Sequence, residues 1–298
     1  MPRALKRHGR LAQLITDAWV PPGSLLQSLP GDRSKRLKER YHPELEGVPV
    51  VDFTAALMAR ELWWNARDRS GWDLFIARNH WFQAAAAEVL SGMAIDGPRV
   101  VVAHSYAALE IFRAAKPRGW QCVLAQIDPG ERHFAIVRDT AVAALAYGPP
   151  PLPPPQAYFE QWRQECELAD RIVVNSEWSR ACLAESNVPP GKLTVAPLAY
   201  EPDAVAASVH EYPERFTDDR PMRLLFVGSA SVVKGIKALM DAMALLAGAP
   251  VSLTVVGDIP AQIPRQFFDD PRMRWTGDRK STRLNSSHVS ESRMPSSA

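Results

Sequence analysis

The chain has 298 residues, of which 46% are hydrophobic and 23% are charged, and its formal net charge is +2. This composition is normal for a soluble protein with one large or two ordinary domains, and it supports a real hydrophobic core. The longest apolar stretches, such as Arg99–Ala103 and Val251–Val256, are far shorter than the roughly 20 residues that cross a bilayer, so no transmembrane helix is predicted. Polar residues interrupt the apolar run Leu11–Val20, so no signal peptide is indicated and the cytoplasm is the expected location.

The positive net charge depends on the C-terminal segment Asp278–Ala298, which carries four basic and two acidic residues. Without it, 31 basic residues stand against 31 acidic ones, and no nucleic-acid partner is indicated. The segment has no apolar periodicity, and Asp278–His288 reads as the translation of a common sequencing adapter. We therefore expect a non-native, disordered tail after Gly277; a natural disordered tail is the alternative.

The chain up to about residue 200 alternates β-rich runs with helical patterns, which is typical of βαβ units on a parallel sheet. In chain order, the predicted strands are Leu11–Ala18, Val48–Phe53, Asp73–Ala77, Arg99–Ala103, Gln121–Ile127, Arg171–Asn175 and Leu193–Pro197. The predicted helices include His80–Leu90, Ala107–Ala115, Ala157–Ala169 and Trp178–Glu185. In the third of these helices, Phe159, Trp162 and Cys166 recur at helical spacing, which predicts one buried stripe.

Two proline-rich stretches interrupt this alternation. Gly148–Pro155 has too many prolines for a helix or a central strand, so we expect a stiff, extended connector on the surface. Tyr200–Pro221 combines prolines with charged residues, and a new strand is predicted directly after it. The second stretch therefore predicts a linker over 201–221 between an N-terminal domain, 1–200, and a second unit, 222–277.

The second unit is predicted to run strand, glycine-containing loop, helix, strand and strand. These elements are Arg223–Val227, Gly228–Gly235, Ile236–Leu246, Val251–Val256 and Arg272–Trp275. Apolar residues of the helix recur on one face, which predicts that this face is buried. A doubly wound domain needs about 100 residues to close its core, so we expect this one to be incomplete.

No metal site is predicted. The three cysteines, Cys122, Cys166 and Cys182, are widely spaced within predicted strands and helices, which is typical of buried thiols. No cluster of histidine, cysteine and aspartate has ligand spacing. Histidines without a partner at such spacing, among them His133, are interpreted as surface or core residues.

The loop Gly228–Gly235 follows a strand and opens a helix, a place where backbone N–H groups and the helix dipole can receive a phosphate. Lys234 adds a positive charge at that end. The loop matches neither GxxxxGK[ST] nor GxGxxG, so it is neither an ATPase loop nor a dehydrogenase fingerprint. By itself the spacing is explained equally well by an ordinary strand-to-helix turn.

Four segments of the chain, the loop among them, together indicate more than the loop does alone. They are Glu167–Ser179, Val188–Tyr200, the strand and loop from Leu225 to Gly235, and Leu253–Asp258. In order and spacing they resemble the GT-B glycosyltransferases of family 4. The resemblance implies an α/β protein with two Rossmann-like domains, a nucleotide-sugar donor held mainly by the second, and a glycan, lipid-linked or small-molecule acceptor held mainly by the first. It also implies transfer with retention of configuration, without an obligatory metal and without a cofactor.

The resemblance carries over to particular residues of the second unit. Lys234 matches the lysine that faces the donor diphosphate, and Gly228 and Ser229 match donor-binding positions after the strand. The family often has arginine where this chain has Ser229. A serine hydroxyl donates one neutral hydrogen bond, whereas the guanidinium group of arginine donates two charged ones. Either another residue compensates or diphosphate binding is weak.

In the first domain, Gly23 lies where the family carries a glycine-rich loop near donor phosphates and acceptor, although a plain turn explains it equally well. His104 ends one predicted strand and is a candidate contact for the sugar or acceptor. Asp128 follows the next strand, where the family commonly has a histidine. It is a candidate to orient a hydroxyl or accept a proton, and a turn-forming role before Pro129-Gly130 is the alternative. Arg78–His80 are weaker candidates, predicted to end a strand at the same rim.

A non-catalytic nucleotide-binding Rossmann module is the alternative to a transferase. The family binds donor ribose and sugar through a Glu-x7-Glu region, and no residue of it precedes Gly277. We therefore expect the uninterrupted gene product to transfer sugar and this chain to be inactive. Peripheral contact with the inner face of a membrane is left open, since no basic amphipathic helix requires it.

Overall fold

The computed structural model describes residues 1–28, 40–94, 99–199 and 212–277. Over these residues the protein is α/β with parallel sheets, as predicted. Most of the predicted linker over 201–221 and all of the predicted tail over 278–298 lie outside the described residues. The chain forms two compact units: the first comprises Met1–Cys122 with Glu160–Leu168, and the second comprises Val123–Phe159 with the chain from Ala169 onward.

The strands are β1 Leu14–Thr16, β2 Val50–Asp52, β3 Val100–His104, β4 Gln121–Ala125, β5 Arg171–Val174, β6 Leu193–Val195, β7 Met222–Val227, β8 Val251–Val256 and β9 Met273–Trp275. The helices are α1 Pro2–Arg7, α2 Thr54–Asn65, α3 Gly71–Gly92, α4 Leu109–Ala115, α5 Glu131–Val142, α6 Gln156–Leu168, α7 Glu177–Glu185, α8 Ile236–Leu245 and α9 Arg265–Phe268. Apart from Asp73–Ala77, each predicted strand overlaps an observed one.

The strands form parallel sheets. β1 and β2 pair in parallel. The strand order of the larger sheet is β3-β4-β5-β6, in which β4, β5 and β6 are parallel neighbours. β7, β8 and β9 form a parallel sheet in sequential order. Since parallel strands end at the same edge, the turns that follow them come together at one rim of each sheet.

One strand prediction is wrong. Asp73–Ala77 lies inside the long helix α3, and Arg78–His80 therefore lie in the middle of a helix and end no strand. A short apolar run does not by itself distinguish a strand from a buried helix segment. Here the alanine-rich sequence that follows favours the helix, because alanine has the highest helix propensity. Arg78 forms an ion pair with Glu61 on α2, at 2.6 Å.

The predicted buried stripe of α6 is confirmed at Trp162 and Cys166, whereas Phe159 is half-buried. Trp162 is fully buried and Cys166 is 5% exposed. The three cysteines are free and buried, as predicted. One polar residue lies among these side chains: Glu165 is as completely buried as Trp162. The apolar pattern of the helix gave no indication of a buried carboxyl group at this position.

The sheet β7-β8-β9 is packed against α8. The helix buries Ile236, Met240 and Met243 against Leu253 and Val255 of β8, which confirms the face predicted from helical spacing. The core of this unit also contains two residues that precede β5 in the chain, Ala144 and Tyr147. The backbone amide of Gln262 donates a hydrogen bond to the carbonyl of Tyr147 at 3.0 Å.

The Pro-rich stretch Gly148–Pro155 contains neither helix nor strand, and most of it is exposed or half-exposed, as predicted. Proline has no backbone N–H group, so these residues cannot donate the hydrogen bonds that a helix or a sheet requires. Within the described ranges, no helix is both long and apolar enough to cross a membrane.

Candidate functional site

The first-rank candidates selected from the sequence lie at the carboxyl end of a strand or in the segment that follows one. Gly23 follows β1, His104 ends β3, Asp128 follows β4, and the loop Gly228–Gly235 follows β7. Open parallel sheets bind ligands at this edge, because the turns between strand and helix leave a crevice there. Gly23 and His104 belong to the first unit, whereas Asp128 and the loop belong to the second.

Gly23 forms a tight turn. The amide of Ser24 donates to the carbonyl of Pro21 at 3.2 Å, and Gly23 has a φ of +85°. Proline at the second position and a left-handed glycine at the third are typical of a type II turn. The turn explains the glycine without a ligand, and a ligand-binding role stays a prediction.

A cavity of about 260 Å³ lies next to this turn, beyond the end of β1. Its lining includes Trp19, Pro21, Pro22, Tyr41 and Glu46. The rings of Trp19 and Tyr41 are 5.1 Å apart at a tilt of 59°. Aromatic faces together with a carboxylate suit a ligand with both apolar and hydroxyl surfaces, such as a sugar ring.

His104 is exposed at the end of β3 and begins a turn over His104–Ala108 that leads into α4. We call these residues the His104 turn. Its backbone amides at Tyr106 and Ala108 donate to the two carboxyl oxygens of Glu165, at 2.6 and 3.1 Å. A buried residue that the sequence analysis did not select therefore holds the backbone of the His104 turn.

Asp128 is 8% exposed. Its Oδ1 accepts hydrogen bonds from the amide of Gly130 at 2.8 Å and from Nε2 of Gln126 at 3.1 Å. Gly130 has a φ of +67°, and α5 starts directly after it. The carboxylate thus holds the turn between β4 and α5, which is the structural role considered for it. A catalytic role stays a prediction.

The loop Gly228–Gly235, which we call the Lys234 loop, follows β7 and leads into α8 as predicted. It ends in a short 3₁₀ turn, Val232–Lys234. Many of its amides already donate to backbone carbonyls, namely those of Gly228, Ala230, Ser231, Lys234 and Gly235. A backbone cradle for phosphate is therefore less open than the sequence pattern predicted. The exposed Lys234 side chain is the main group that the loop offers to an anion.

Close backbone contact with the end of β8 shapes the Lys234 loop. The amide of Gly228 donates to the carbonyl of Val256 at 2.9 Å, and that of Ala230 donates to Asp258 at 2.8 Å. A Cβ on Gly257 would lie 2.0 Å from the carbonyl oxygen of Gly228, so no other residue fits there. The hydroxyl of Ser229 donates to Oδ2 of Asp258 at 3.3 Å. Ser229, predicted to contact the donor, thus has a protein partner.

The second unit also brings together Asp128, Lys234 and a third group, His133. Helix α5, which carries His133 in its first turn, packs against the 3₁₀ turn that contains Lys234. Burial lowers the pKa of His133; the Asp128 carboxylate opposes this shift, and the Lys234 ammonium adds to it. The imidazole is therefore neutral at neutral pH and can accept or donate a proton.

Sequence reasoning missed His133 because it looked for partners at ligand spacing along the chain. Lys234 lies about a hundred residues further on and meets His133 only through packing. A weaker signal was present: His133 follows the Asp128 turn by one turn of helix. A histidine so placed beside a strand end is near the functional edge of an open sheet.

In the part of the chain that the structure describes, no group of three or more histidine, cysteine, aspartate or glutamate side chains could hold a metal ion. The arrangement in the second unit is instead a cation, a carboxylate and a neutral imidazole. Such groups can bind an anionic ligand and move a proton beside it.

No family model and no curated protein matches the chain significantly. Among solved structures, the chain is similar to the apo form of the lipopolysaccharide outer core galactosyltransferase WaaB, with 14% identity and a TM-score of 0.46, over 89% of this chain and 67% of that one. It is similar to HepE of Anabaena in complex with UDP, with 14% identity and a TM-score of 0.48, over 90% and 69%. MurG of Acinetobacter baumannii has 12% identity and a TM-score of 0.35, over 89% and 65%. At these values, the similarities establish neither a family nor an activity for this chain.

Proposed function

We propose that the whole protein is a GT-B glycosyltransferase of family 4. It transfers a sugar from a nucleotide diphosphate sugar to a glycan, lipid-linked or small-molecule acceptor, with retention of configuration. The proposal rests on the four ordered sequence segments that resemble this family and on the side chains that follow the strands. Contact with a membrane surface stays a prediction.

The observation that carries the proposal is Lys234. It is exposed on the turn that leads from β7 into α8, next to the start of a helix whose N-terminal dipole favours negative charge. A lysine there can neutralise a diphosphate and the charge that develops as it departs. The His133 imidazole interacts electrostatically with both Asp128 and Lys234, so a proton-transfer group lies beside Lys234.

We assign the acceptor to the first unit. The cavity beside the Gly23 turn is large enough for a monosaccharide ring, and Trp19 and Tyr41 offer aromatic faces to it. His104 is exposed at the end of β3 in the same unit, and its ring can donate a hydrogen bond to a hydroxyl or accept one from it.

The decisive experiment compares two lysines. Lys234→Ala should weaken the binding of UDP, GDP or ADP by roughly tenfold, because a charge-assisted hydrogen bond contributes about 1.5 kcal/mol or more. Lys237→Ala is the matched control, since Lys237 lies three residues further on and pairs with Asp241 at 2.6 Å. Isothermal titration of this chain and of the uninterrupted gene product with each nucleotide measures both variants.

Equal affinity of wild type and Lys234→Ala for every nucleotide would remove Lys234 from the site. Nucleotide binding by the uninterrupted gene product without any transfer of sugar from UDP-, GDP- or ADP-sugars would favour the alternative, a non-catalytic nucleotide-binding module.

A further inference from the structure

Helix α4 has no cap of its own. It begins after Ala108, whose methyl group cannot accept a hydrogen bond, although the first amides of a helix need acceptors. Side chains of two other helices supply acceptors to the turn before the helix and to one amide of its first turn. Glu165 of α6 accepts from the amides of Tyr106 and Ala108, and Oε1 of Gln83 on α3 accepts from the amide of Glu110 at 3.1 Å. Side chains of α3 and α6 therefore fix the start of α4.

The His104 turn contains a strained residue. Tyr106 has a φ of +70°, a left-handed conformation that residues with a side chain rarely adopt, and its ring is 1% exposed. Such strain persists only where the surroundings over-determine it. Here both backbone groups of Tyr106 are held, because its amide donates to Glu165 and its carbonyl accepts from Nε2 of Gln161 at 2.9 Å.

The polar groups that hold the turn form one connected network. Nε2 of Gln161 also donates to Oε1 of Glu165 at 2.9 Å, and Oε1 of Gln161 accepts from Nε2 of Gln83 at 3.4 Å. Gln83 is 2% exposed and Glu165 is fully buried. Burial raises the pKa of Glu165, and its N–H donors partly oppose this. A network of this kind is costly to bury unless each member has partners, so it specifies one arrangement of the turn.

We propose that Glu165, supported by Gln161 and Gln83, is a positioning residue that fixes His104 at the carboxyl end of β3 for contact with substrate. His104 lies two residues before Tyr106, and its carbonyl accepts from the amide of Ala107 at 3.3 Å. A turn locked on both sides leaves the His104 backbone one conformation while its ring stays exposed. The substrate contact rests on the proposed function, whereas the fixing of the turn does not.

The first test is Glu165→Gln in this chain, with Glu167→Gln as the matched control on the exposed side of the same helix. An amide places an NH2 group where Tyr106 or Ala108 donates, so one backbone amide loses its acceptor. We expect amide exchange to accelerate at least tenfold at Tyr106 or Ala108, whichever amide loses its acceptor. We also expect the ring resonances of His104, assigned through a His104→Gln variant, to shift together with their titration midpoint.

The control variant should change none of these signals. A folded Glu165→Gln protein with unchanged His104 resonances and titration would overturn the proposal. Gln161→Ala covers the case in which Glu165→Gln does not fold: it keeps the carboxyl group and should shift the same His104 signals by a smaller amount, and unchanged signals would count against the proposal equally.

The second test uses the uninterrupted gene product. Glu165→Gln should lower kcat for sugar transfer at least tenfold with little change in the KM for donor, and it should have no further effect in a His104→Ala background. Additive losses would overturn the coupling between the two residues. A wild-type protein that transfers no sugar would overturn the proposed function alone, because the resonances of His104 still decide whether Glu165 positions it.

Discussion

The His104 turn and the Lys234 loop each connect a parallel strand to the helix that follows it, but they are stabilised differently. The His104 turn depends on side chains, above all on Glu165, which lies 59 positions after Tyr106 in the chain. The Lys234 loop depends on the backbone, because its amides donate to the end of β8 and to Asp258 just after it, and because Gly257 allows close contact with Gly228.

This difference has an electrostatic consequence. The Glu165 carboxyl group accepts from the Tyr106 and Ala108 amides just before α4, so these amides are not available to an anion. The Lys234 loop presents an ammonium group instead. The proposed function accordingly assigns the donor phosphates to the Lys234 loop and the neutral acceptor to the first unit.

The largest expected effect tests the backbone contact of the Lys234 loop. Gly257→Ala should destabilise the protein by about 4 kcal/mol, because the new Cβ would overlap the carbonyl of Gly228 and Gly257 has a φ of +140°. Gly248→Ala is the control: it has a φ of +79° with open space around it, and should cost about 1 kcal/mol. Urea unfolding measures both, and equal costs would show that the close approach of the strand ends is unimportant.

A smaller effect is expected at the His104 turn. Glu165→Gln should destabilise the protein by about 3 kcal/mol, since buried donors lose their acceptor. The same unfolding experiment measures it, with Glu167→Gln as the control expected to stay within about 0.5 kcal/mol. A loss of unfolding free energy no larger than that of the control would mean that the turn is stable without the Glu165 carboxyl group.

The cost of Glu165→Gln should also depend on pH. Burial raises the pKa of Glu165 in the folded protein, so the folded state binds this proton more tightly than the unfolded state. The stability from this group is then fully present below the unfolded pKa of about 4.3 and is lost as the pH rises through the folded pKa. The advantage of wild type over the variant should therefore shrink with rising pH. An advantage that grows would show that the amide donors outweigh burial.

The smallest effect is expected for Ser229→Ala. The hydroxyl of Ser229 makes one long, exposed hydrogen bond with Asp258, whereas the backbone already holds the loop, so the change should cost about 0.5 kcal/mol or less. A loss above about 1 kcal/mol by urea unfolding would show that side chains, too, stabilise the Lys234 loop, and the contrast with the His104 turn would weaken.

Much of the fold could be predicted because its elements follow local patterns. β8 was predicted at its observed bounds, and the buried face of α8 follows from helical spacing. Asp73–Ala77 shows the limit: five apolar and polar residues fit a strand or a helix, and only the length of α3 decides between them.

The candidate site divides in the same way. The sequence by itself determined that Gly23, His104, Asp128 and Lys234 stand at the ends of strands, because strand-to-helix order is a local property of the chain. Only the tertiary structure decided that His133 lies near Asp128 and Lys234, and that Glu165 holds the His104 turn. His133 and Lys234 are far apart in sequence, as are Glu165 and the His104 turn, and a buried carboxyl group is stable only where folding brings donors to both of its oxygens.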